Sequence, residues 1–145
     1  GRHYEDEYVF AANYIDQQRV VCIPENLYFY LRRSDSIMGV TYKKQDCIDR
    51  LDMWHERIQY FEERNEKELL PSVIQSCLAW NVLYLAVNGA AMEKYEIQLL
   101  KTDIRKYFWK LFAKPYLYNL KESMKLAVKC IMTLVNDKSL RKRYV

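Results

Sequence analysis

Glycine and proline are scarce in this chain, with three of each among 145 residues. So few turn-formers exclude a turn-rich all-β fold and leave long helices as the expected build. No Asp-x-Asp triplet occurs anywhere, and no Gly-rich phosphate loop, so the usual metal-diphosphate and nucleotide cradles are missing. The four cysteines stand at 22, 47, 77 and 130, without a CxxC pair, which removes zinc-ribbon and redox-motif spacings. Each has apolar neighbours and reads as a small buried hydrophobe, in keeping with a reducing cytoplasm. Histidine occurs twice. His3 reads as a surface residue, and His55, inside a charged stretch, as solvated. The first residues are polar and acidic, with no apolar core of a signal peptide. With no initiating Met either, they read as a cut inside a longer protein. No apolar run reaches bilayer-spanning length: Val73 to Val87 is interrupted by Gln75, Ser76 and Asn81.

What is present suits one domain with a real core. Half of the residues are hydrophobic and 14% are aromatic. The thirteen tyrosines suggest many half-buried positions where a ring packs and a hydroxyl meets water. Charge is unevenly distributed. Residues 1–100 carry 11 Lys/Arg against 16 Asp/Glu, a net of −5, and residues 101–145 carry 12 against 3, a net of +9. A basic, aromatic-rich tail calls for an anionic partner.

Periodicity predicts the elements. Residues 4–18 read as a helix whose first turn, Glu5-Asp6-Glu7, answers the helix dipole. Arg19–Ile23 and Leu27–Leu31 read as two short strands about a Pro24-Glu25-Asn26 turn. A lone hairpin is marginal in water, so these strands need a larger sheet. Beyond the polar loop 32–36 and Gly39 the chain reads as helical. Cys47, Leu51, Trp54, Ile58 and Phe61 form one amphipathic stripe. Asn65 ends that helix and, with Glu68, is placed to cap the next, near whose start Pro71 introduces a kink. The helix through Leu83 is apolar on nearly all sides and should lie centrally. Ile97, Leu100, Ile104, Phe108 and Leu111 form another stripe, broken at Lys114-Pro115. Leu120, Met124, Ala127, Val128, Ile131 and Val135 form the last.

Three adjacent acids at a helix start can serve as a general base or bind a metal. They are followed by Leu27, Tyr28 and Tyr30, then Arg33, then Ser36-Ile37. In order and spacing, this set resembles the end of the catalytic domain in bacterial family 2 glycosyltransferases. There a Tyr-Glu-Asp-Glu-like segment opens a helix, and a strand pair with a Leu-Tyr-Tyr-Tyr-like run, an Arg and a Ser-Ile follow. The resemblance covers residues 1–40. Residues 41–145 share with that family only the character of a Lys- and Tyr-rich helical extension.

The resemblance implies a fold and an activity. The fold is mainly α: a bundle-like helical extension over residues 41–145, and over residues 1–40 the end of a GT-A catalytic domain with its small hairpin. The activity is sugar transfer, with inversion, from a nucleotide-diphosphate sugar to an acceptor hydroxyl in cell-surface polysaccharide synthesis. Asp6 is then the general base. Glu5 contacts the acceptor, Arg33 lies near the diphosphate, where a guanidinium fork suits phosphate oxygens, and Glu7 and Ser36 are further substrate-binding residues. Many relatives carry Arg where this chain has Leu31. A divalent metal, Mg or Mn, is implied for the full-length enzyme, but no metal ligand is assigned in this chain, and without the nucleotide-binding half it is expected to be inactive. The expected partners are the nucleotide sugar, a saccharide acceptor, an anionic membrane surface and a second copy of the chain, but no nucleic acid. The expected location is the cytoplasm and the inner face of its membrane. The competing reading is a non-catalytic helical module for interaction or membrane association.

Overall fold

In a computed structural model, residues 6–9, 13, 17, 19–29, 43–112 and 120–135 are described, and all that follows concerns them. The chain falls into two compact units, residues 1–53 and 54–145. It is mainly helical: α1 runs Lys44–Glu63, α2 Leu70–Asn88, α3 Lys94–Phe108 and α4 Leu120–Val135, with a 3-10 turn at Trp109–Phe112 after α3.

In the first unit, residues 6–9 and 13 are helical. The expected strands do not appear: residues 19–29 hold no strand, and residues 30 and 31 lie outside the described part. Val20, Val21, Ile23, Leu27 and Tyr28 are exposed and Phe29 is 92% exposed, so these apolar side chains gain little from burial. A strand pair without a covering layer gains too little to hold its ladder. Cys22, expected to be buried, is exposed in the same segment.

In α1 the sequence stripe is the buried face: Cys47, Leu51, Ile58 and Phe61 are buried and Trp54 is half-buried. The helix ends at a left-handed Asn65, φ 57°. The Asn65 N–H donates to Glu62 O at 3.0 Å and the Glu66 N–H to Phe61 O at 3.0 Å, the paired bonds of a Schellman stop. Asn65 therefore ends α1 as expected but does not cap α2. That helix begins at Leu70, after Leu69, and Pro71 lies in its first turn, where a missing N–H costs nothing. Pro71 thus starts the helix and does not kink it.

In the second unit α2 is central, packing against α3, the 3-10 turn and α4. It is long and apolar enough to cross a membrane by length and composition. Eight of its residues are buried against neighbouring helices, Asn81 among them, which is how the core helix of a bundle is used. α3 opens with the Glu96 carboxylate accepting from the Glu93 N–H at 2.7 Å, half of a capping box. Its stripe turns inward as expected at Leu100, Ile104 and Leu111, all fully buried.

α4 departs from expectation. The helix is present, but among its expected apolar contacts whose side chains are described only Ala127 is buried. Met124, Val128, Ile131 and Val135 are exposed, and the inward face is Ser123, Ala127, Cys130 and Thr133. Small side chains let the α4 backbone approach α2 closely. Gln75 Nε2 donates to Ser123 Oγ at 2.7 Å, and the Thr133 hydroxyl returns to Lys129 O at 2.8 Å, so the inward polar groups are satisfied within the protein.

Candidate functional site

Of the residues expected to act on substrate, the structure describes Asp6 and Glu7. Glu5, Arg33 and Ser36 lie outside the described residues, as does His3. Asp6 is exposed and helical, and its Oδ1 accepts the Glu7 N–H at 2.9 Å. Glu7 faces α1, where Arg50 Nη1 approaches its Oε1 at 3.4 Å. The neighbouring Tyr8 donates its hydroxyl to Asp49 O at 2.7 Å, while the buried Asp49 carboxylate accepts from Gln45 Nε2 at 2.6 Å. Glu7 and Tyr8 thus tie the acidic helical turn to the first half of α1, leaving the Asp6 side chain outward.

A second constellation was not legible in the sequence. His55 is not simply solvated: its Nε2 lies 2.6 Å from Asp103 Oδ1, with His55 41% exposed and Asp103 5%. The other carboxylate oxygen, Oδ2, accepts from Asn81 Nδ2 at 2.7 Å and lies 3.5 Å from the Cys77 Sγ. Burial, and next the Asp103 charge, push the Cys77 thiol far up, so it remains S–H and acts as a weak donor to the carboxylate. One buried carboxylate on α3 therefore gathers partners from α1 and α2. The Asn81 Oδ1 has no partner although it is fully buried. The carboxylate fixes the imidazole orientation, as in acid–base dyads. Yet the nearest nucleophile, Cys77, is buried and held protonated, so the arrangement favours a structural clasp over chemistry. No signal in the sequence marks it, because the contacts of Asp103 with His55, Cys77 and Asn81 span 22 to 48 positions.

The basic tail is only partly available. Tyr107 is buried, with Lys106 Nζ 4.7 Å and Lys110 Nζ 5.5 Å from its ring centroid. The hydrogen bond to Tyr107 is the main reason the Lys106 ammonium is raised. Lys110 also pairs with Glu62 at 2.5 Å. Trp109 is 74% exposed and stands edge-on to Phe108 at 5.1 Å. A shallow groove of about 270 Å³ runs between α2 and α4, lined by Gln75, Ser76, Ala79, Glu122, Leu126 and Lys129. Its two charged groups, Glu122 and Lys129, come from the same helix.

The divalent ion implied for the full-length enzyme finds no ligand set among the described residues, where no group of three or more His, Cys, Asp or Glu side chains is placed to hold a metal ion. No step is derived through it. Comparison with known proteins found no match: no family model, no curated protein and no solved structure.

Proposed function

We propose that the chain is the acceptor-side, C-terminal part of a family 2 glycosyltransferase, transferring a sugar from a nucleotide-diphosphate donor to an acceptor hydroxyl in cell-surface polysaccharide synthesis. The observation that carries this reading is the ordered set Glu5-Asp6-Glu7, Leu27, Tyr28, Tyr30, Arg33, Ser36 and Ile37. In this role Asp6 takes the proton of the acceptor hydroxyl as its oxygen attacks the anomeric carbon, and the nucleoside diphosphate leaves from the opposite face. Glu5 contacts the acceptor, Arg33 the diphosphate, and Glu7 and Ser36 take part in substrate binding. The exposed placement of Asp6 supports its assignment, because a general base must come within hydrogen-bond reach of its substrate. The uncovered apolar side chains of residues 19–29 support it too: they suit a hairpin that forms against a sheet supplied by the rest of the enzyme. Where that sheet is missing, the same segment favours pairing with a second copy.

The test is Asp6→Asn in the full-length enzyme. Turnover should fall by ~10²–10⁴-fold with donor binding retained, the usual contribution of a general base. Near-normal turnover removes Asp6 from the mechanism. Upstream coding sequence without a nucleotide-binding half and its Asp-x-Asp motif would end the glycosyltransferase reading.

A second reading is favoured by the net +9 of residues 101–145 and by the exposed apolar side chains of α4. In it the tail is a helical module that attaches the protein weakly to the anionic, cytoplasmic face of a membrane. The two readings are compatible, since one concerns residues 1–40 and the other the tail.

A further inference from the structure

We infer that α4 is the membrane-docking element: Met124, Val128, Ile131 and Val135 enter an anionic lipid surface while Lys121, Lys125 and Lys129 lie beside them at the headgroup level. The inference rests on the attachment reading above and gives it a specific face.

The starting observation is the inversion of α4. An amphipathic helix of a globular domain turns its large apolar side chains inward. Here Met124, Val128, Ile131 and Val135 are 49–80% exposed, while Ser, Ala, Cys and Thr face the core. At 3.6 residues per turn the four apolar positions fall within a sector of about 60°, and the three lysines fill roughly the next 80°. The core-facing residues occupy the other side. The helix thus presents, in angular order, a protein-facing sector, an apolar sector and a basic sector. That is the layout of an interfacial helix with lysines flanking an apolar strip. α4 contains three lysines and one acid, Glu122, a net of +2. Glu122 is held by Lys125 at 2.6 Å, and that pairing is the main cause of its lowered carboxyl pKa.

Charge selects the occupant. A second copy laid antiparallel on the same strip would bring one lysine row against another. The strip also extends over fewer than two heptads, short of the three or four over which a coiled-coil seam becomes recognisable. An anionic lipid surface answers both sectors at once: acyl chains receive the apolar side chains and headgroups the ammonium groups. The 3-10 turn packs against α4 and carries the exposed Trp109, a residue type enriched at membrane–water interfaces.

The experiment is co-sedimentation of the full chain with phosphatidylcholine vesicles, with and without phosphatidylserine. The chain should bind only the phosphatidylserine vesicles and be released by high salt. The double substitution Val128→Asp, Ile131→Asp should abolish binding. Because both positions are exposed, it should leave circular dichroism and thermal unfolding unchanged. Lys121→Gln with Lys125→Gln should weaken partitioning by roughly fivefold per lysine, whereas Lys94→Gln, on α3, should change it little. Binding by the Val128→Asp, Ile131→Asp chain equal to that of the wild type would overturn the inference while leaving tail attachment standing. No binding of the wild-type chain to phosphatidylserine vesicles would overturn both. Equal binding to the two vesicle types would remove the lysine role and with it the inference. A wild-type dimer in sedimentation velocity that Val128→Asp, Ile131→Asp converts to monomer would assign the strip to a second copy instead.

Discussion

α3 and α4 are close in length and carry apolar residues at the same helical spacing, yet they use them in opposite ways. α3 buries Leu100 and Ile104 completely and turns Arg105 and Lys106 outward. α4 buries Ser123, Ala127, Cys130 and Thr133, half-buries Leu126, Met132 and Leu134, and leaves Met124, Val128, Ile131 and Val135 in solvent. The contrast teaches that an apolar stripe specifies a helix but not its partner. Each helix offers more than one stripe, and packing selects the face whose shape fits the neighbour. Against the crowded side of α2, a row of small residues fits more closely than Met, Val and Ile would.

The sharpest break of that contrast compares matched truncations. Ile104→Ala removes a fully buried side chain and should lower unfolding stability by about 3 kcal/mol through lost transfer energy and the cavity left behind. Ile131→Ala, at an exposed position of α4, should change it by less than about 0.5 kcal/mol. Urea unfolding of both variants measures the difference, and equal losses would mean that α4 packs by its large residues after all.

A substitution in the opposite sense should have a smaller effect. Ala127→Leu puts three extra carbon atoms into the close α2–α4 contact and should cost about 2 kcal/mol by overpacking. Val128→Leu, one position further along the helix, should be close to neutral in the same urea titration. A stabilising Ala127→Leu would show that the inward face of α4 is loosely packed.

Thiol labelling sharpens the contrast without altering the fold. Burial pushes the Cys130 thiol up to about 12 and the Cys77 thiol higher still, so both are protonated at neutral pH. Iodoacetamide at neutral pH should modify Cys22 first, while Cys77 and Cys130 react only after unfolding, as mass spectrometry of the digest would show. Labelling of Cys130 at the rate of Cys22 would mean that α4 detaches from α2 in the native state.

Much of the fold was legible because periodicity is local information. The stripe from Cys47 to Phe61 gave α1 and its buried face, and the apolar run around Leu83 gave a central helix. Of the candidate residues, Asp6 and Glu7 are helical, in line with the helix read over their segment. The clasp at Asp103 was not legible: in sequence it is one acid in a basic tail, and His55 one residue in a charged stretch. The strands expected at 19–31 illustrate the converse failure. β-branched and aromatic content states that a segment suits a pleated surface, whereas a strand exists only where another strand and a covering layer are present.

By itself the sequence determined the helical class, the positions of α1 to α4, the acidic start and basic end, and the motif set on which the glycosyltransferase reading rests. These follow from residue spacing and composition, which need no knowledge of neighbours. Only the tertiary structure decided which face of α4 turns inward, that Asp103 holds His55, Asn81 and Cys77 together, and that residues 19–29 stand uncovered. Those outcomes depend on shape fit and on the satisfaction of buried polar groups between residues far apart in the chain.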